Sequence, residues 1–66
     1  MTTVHLPKRW VEHLVELPES GMGYQRVNIT FKDGKILSGI IVLNAEEAKV
    51  PDPFEPSEIV DVQLAR

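Results

Sequence analysis

The run YQRVNITFKDGKILSGIIVLN, Tyr24 to Asn44, constrains this chain more than any other segment. Two apolar-rich stretches flank Asp33-Gly34, and glycine accepts the positive φ that a twist-compatible hairpin turn needs. The segment predicts strands over about 24–32 and 35–44. In the first, Val27, Ile29 and Phe31 alternate with Asn28, Thr30 and Lys32, giving one apolar and one polar face. The second is apolar on both. Strict alternation puts Ile36, Ile40 and Val42 on one face and Leu37, Ile41 and Leu43 on the other. One face serves the core; the other needs cover from a helix or a second subunit.

The remaining elements follow from spacing and punctuation. Pro7 suits a first helical turn, and Trp10, Val11, Leu14, Val15 and Leu17 share one helical face, with Arg9, Glu12, His13 and Glu16 largely opposite. Pro18 stops that helix, which therefore spans about 7–17. Residues 1–5 read as a loose or extended arm, and NAEEAKV (44–50) as a short strand or tight connection. Pro51, Pro53 and Pro56 stiffen the next loop around Phe54, and a last strand covers about 58–65. The expectation is a mainly β fold with one N-terminal helix, a small antiparallel barrel or strongly bent sheet, in a single domain over 1–66.

Size and composition narrow the function classes. A chain of 66 residues buries only about 60% of the surface its unfolded form exposes, so packing or oligomerisation must supply stability. With no cysteine, disulfides and thiolate zinc sites are excluded. Seven basic residues against ten acidic give a net charge of −3, which disfavours nucleic-acid binding. MTTVHLPKRW has no apolar leader region, and Ile40–Leu43 is too short to span a bilayer, so a cytoplasmic, non-membrane protein is expected.

The order strand, Asp33-Gly34 turn, strand with Gly39 five residues on resembles the first half of the Sm-like pattern. That resemblance implies an N-terminal helix on a small SH3-like barrel, with Gly39 where a strongly bent strand curls. It covers roughly the first two-thirds of the chain. The second half departs: NAEEAKV and IVDVQLAR stand where that family carries its RNA-contacting motifs, so the resemblance carries fold without RNA binding. The chain also resembles a small bacterial protein type marked by LPESGMGYQ (17–25) ahead of the hairpin, which implies no activity.

No residue set compels a chemistry. Gly21-Met22-Gly23 leads into a strand rather than a helix, so it reads as turn geometry, with Met22 and Tyr24 as an adaptable apolar contact if it has a role. His5 and His13 match no compact ligand motif with Glu12, Glu16 or Asp52, and His13 reads as solvated. Glu46, Glu47, Asp52 and Glu55 read as solubilising loop charge, a small barrel having no room for a cleft. Ser20, Ser38 and Ser57 lack a histidine partner. No catalytic, metal or cofactor residue is therefore expected.

Trp10 fits either a core or an interface. The reading that follows is a non-enzymatic interaction module acting through protein–protein contact, with itself as a homo-oligomer or with another protein. Its interface candidates are Trp10, Leu37, Ile41 and Leu43; Asp33, Gly34 and Gly39 shape the hairpin. The alternative is an Sm-like RNA-binding module in which Arg26, Lys32 and Lys35 meet phosphates. Gly39 is expected to be a bend where any side chain flattens the strand or collides with a neighbour.

Overall fold

The computed structural model describes residues 1–65. The elements are β1 (Thr2–His5), α1 (Lys8–Val15), β2 (Tyr24–Phe31), β3 (Ile36–Leu43), β4 (Glu47–Val50) and β5 (Ile59–Leu64), the last preceded by a 3₁₀ turn at Pro56–Glu58. All strand pairs are antiparallel and form one open sheet in the order β1-β4-β3-β2-β5. Residues 2–5 are thus extended rather than loose, and form an edge strand. Pro7 stands just outside the helix as its N-cap, its carbonyl accepting from the amides of Trp10 and Val11 at 3.0 and 3.1 Å.

One face of the sheet is the core. Val4, Val27, Ile29, Phe31, Ile40, Val42, Ala48, Val50, Ile59 and Val62 are buried there beneath Leu6, Trp10 and Leu14. At eight residues, α1 is too short to hold itself in water, so its apolar face must dock. Three side chains fix how it does so. The buried amide of Gln25 donates to the carbonyls of Leu14, Leu17 and Pro18 at 2.8, 3.2 and 3.4 Å. Arg9 donates to the Ile59 carbonyl at 2.9 Å, and His13 Nε2 lies 2.8 Å from the Val62 carbonyl, which requires the proton on Nε2. His13 is exposed but tethered, not merely solvated.

The β2–β3 hairpin departs from strict alternation. Val27 pairs with Ile40, but Ile29 pairs with Leu37, so Asn28 opposes both Ser38 and Gly39. This is a β-bulge. Gly39 sits at φ +67°, and its amide donates to Asn28 Oδ1 at 3.1 Å. The extra residue turns Leu37 to the core face beside Ile29 and leaves Ile36 exposed, the reverse of the assignment by parity. A second irregularity, at Val60, lets Ile59 and Val62 both face inward.

A Cβ at Gly39 would meet no atom within 4 Å, so the expected collision is absent and the constraint is purely dihedral. A left-handed φ costs a non-glycine residue about 1–2 kcal/mol and a β-branched one more. Equilibrium urea melts are expected to rank the parent above Gly39→Asn, then Gly39→Ala at about 1 kcal/mol lost, then Gly39→Val at about 2–3 kcal/mol. A Val variant as stable as the parent would mean the bulge is not there.

The β3–β4 turn carries the opposite error. Asn44 and Ala45 adopt φ of 53° and 61°, and the Glu46 amide closes the turn on the Leu43 carbonyl at 3.0 Å. Two consecutive positive φ values define the tight hairpin turn that ordinarily selects Asn-Gly. Alanine is strained there. Ala45→Gly is expected to stabilise the protein by roughly 0.5–1 kcal/mol in the same melts, after the extra entropy of an unfolded glycine is subtracted.

Candidate functional site

Beyond Val50 the three prolines hold the chain away from the sheet ladder, and Phe54 brings it back. Its ring meets Phe31 edge to face, with centroids 4.9 Å apart. The Lys32 amide donates to the Glu58 carbonyl at 2.9 Å, tying the 3₁₀ turn to the hairpin end. Between these two fastenings lies a cleft of about 550 Å³, within the range of small-ligand sites. Phe31, Leu37 and Phe54 with Pro51 and Pro53 give it apolar surface; Lys32, Lys35, Asp33, Asp52, Glu55 and Glu58 give it charge.

The cleft overturns the expectation that so small a chain has no room for one. Asp52 and Glu55 line it, whereas Glu46 and Glu47 lie at the far end of β4, so the four do not form one patch. Lys32 reaches Glu58 at 3.7 Å across solvent, an exposed pair of little energetic weight. Asp33 Oδ1 accepts from the Lys35 amide at 2.9 Å, which fixes the turn.

The opposite face of the sheet is a second candidate surface. The register places Tyr24, Leu43, Glu47 and His5 in one row across it and Arg26, Ile41, Lys49 and Thr3 in the next. Ile41 and Leu43 are half-buried; Ile36 and Val60 are 58% and 49% exposed. Of the four expected interface residues, only Ile41 and Leu43 lie here. Trp10 is in the core at 9% exposure, with Arg9 stacked 4.8 Å over its ring and a buried Nε1 that has no acceptor among the described residues. Leu37 faces inward and contributes to the cleft.

The three cations of the RNA alternative are not gathered. Lys32 and Lys35 line the cleft among four carboxylates, while Arg26 lies on the opposite face, six residues back along β2 and roughly 20 Å away at the usual strand rise. Gly21 is explained by packing. Its missing side chain makes room for the Tyr24 ring, which a Cβ there would overlap, and Met22 projects from the loop 99% exposed. Among the described residues no three His, Asp or Glu side chains gather as a metal site, and no helix is long and apolar enough to cross a membrane.

Sequence reasoning missed the cleft and Gln25. A lone large apolar residue between stiff prolines was the available signal for the first; nothing local marks the second. Comparisons with protein-family models, curated proteins and solved structures find no match for this chain.

Phe54 should hold the cleft wall. Phe54→Ser is expected to cost about 2 kcal/mol, from lost burial and the lost edge-to-face pair, and to speed hydrogen exchange at the Lys32 amide well beyond the global change. Unaltered relative protection of Lys32 would mean that Phe54 does not fasten the loop.

Proposed function

We propose that this protein is a non-enzymatic interaction module that self-associates through the sheet face opposite α1. The observation that supports this is the pair of exposed apolar residues Ile36 and Val60, continued by half-buried Ile41 and Leu43 on a face where the helix does not pack. Arg26, Lys49, Glu47 and Asp61 are interspersed among them, so a copy related by a two-fold axis can set unlike charges opposite each other. A standard interface of about 800 Å² per partner would take roughly a fifth of a surface of 4350 Å².

The likeness to small Sm-like, SH3-like barrels belongs to this reading. The short preceding helix, the Asp33-Gly34 hairpin and Gly39 at a break in the ladder favour it, around an open sheet. The non-enzymatic part rests on the setting of the cleft's carboxylates and lysines, all of which are exposed, whereas acid–base and nucleophilic groups are ordinarily tuned by burial. The RNA-binding alternative has no geometric support, because Arg26 is separated from Lys32 and Lys35.

Sedimentation equilibrium at low micromolar concentration tests the proposal. The parent is expected as a dimer or larger, and Ile36→Lys with Ile41→Lys should raise the dissociation constant at least about tenfold while the monomer stays folded by circular dichroism. A parent that remains monomeric up to hundreds of micromolar overturns the reading.

A further inference from the structure

The cleft beside Phe54 combines three features that select one kind of ligand. Its floor is apolar and aromatic, from Phe31, Leu37 and Phe54. Its rim carries four carboxylates, Asp33, Asp52, Glu55 and Glu58, against two ammonium groups, Lys32 and Lys35, a balance of four minus two, or two net negative charges. Lys32 is already engaged by Glu58. The third feature is main chain. From Pro51 to Phe54 no backbone group has a hydrogen-bond partner among the described residues, so the amides of Asp52 and Phe54 have no protein acceptor. Pro51 and Pro53 fix φ on either side of Asp52 and stiffen this wall, which bends at Pro51 and Asp52, before anything binds.

We propose that this cleft binds an extended peptide segment in which an apolar side chain stands next to a lysine or arginine. The apolar side chain seats on Phe31 and Phe54, and the cation meets Asp52 and Glu55. The free amides of Asp52 and Phe54, separated by one proline, are the main-chain donors that the carbonyls of such a segment can meet. A small amine would use the rim and floor but leave both amides without a protein acceptor. A nucleic-acid strand would bring phosphates against the carboxylates. The site is separate from the self-association face, and neither proposal depends on the other.

The test uses the whole chain, uniformly labelled with nitrogen-15, titrated with three short blocked peptides that carry Leu-Lys, Leu-Ala or Leu-Glu at the centre of a Gly-Ser sequence. The Leu-Lys peptide should move the amide signals of Asp52, Phe54, Leu37 and Lys35 saturably at submillimolar concentration. Leu-Glu should bind at least about tenfold more weakly, with Leu-Ala between them. Asp52→Lys with Glu55→Lys, both exposed and outside every strand, should reverse the order of Leu-Lys and Leu-Glu.

No saturable shift at millimolar Leu-Lys overturns the proposal. Equal binding of Leu-Lys and Leu-Glu overturns it as well. So does a short single-stranded oligonucleotide that moves the same signals more strongly than Leu-Lys does. Shifts confined to Ile36, Ile41 and Leu43 would reject the cleft while leaving self-association untouched.

Discussion

The side-chain amide of Gln25 determines where the helix sits, and most of the structure depends on that position. An α-helix ends with carbonyls that have no partner of their own, and leaving one buried and unsatisfied costs roughly 1–3 kcal/mol. Gln25 rises from the core face of β2 and donates to Leu14, Leu17 and Pro18 in the last turn and just beyond it. The helix is thereby held over Val27, Ile29 and Val42. Along its side Arg9 in the first turn and His13 in the last take the outward carbonyls of Ile59 and Val62. Those carbonyls belong to an edge strand, and a covered edge does not recruit further strands. One short helix therefore closes the core and blunts one edge of the sheet. The face opposite and the β1 edge are left to solvent.

Elements that rest on local periodicity were legible in the sequence; those that rest on a break in periodicity or on distant contacts were not. The hairpin around Asp33-Gly34 and the helix ending before Pro18 stand close to where spacing puts them. Leu37 and Ile36 were assigned to the wrong faces because one bulged residue inverts every side chain beyond it. The β3–β4 turn was obscured by Ala45, a residue type that argues against the conformation it adopts. β1 is four residues without a strong pattern and is a strand only because β4 pairs with it. The cleft joins 31–37 to 51–58 through the Phe31–Phe54 contact, which no spacing rule encodes.

Both candidate surfaces meet at the hairpin end, and the bulge at Gly39 divides them. Ile36 and Leu37 are neighbours with similar side chains, yet one stands exposed on the open face and the other lines the cleft and touches the core. A regular ladder would exchange them: Leu37 would move to the open face and Ile36 would turn toward Phe31. Such an exchange replaces one branched aliphatic residue by another, so burial alone barely distinguishes the two registers. What separates them is local. The bulged form uses the positive φ that glycine supplies without strain, and it pairs the Gly39 amide with the Asn28 side chain. The register that sets the composition of both surfaces is thus selected by one glycine and one asparagine. Neither contributes to the apolar core.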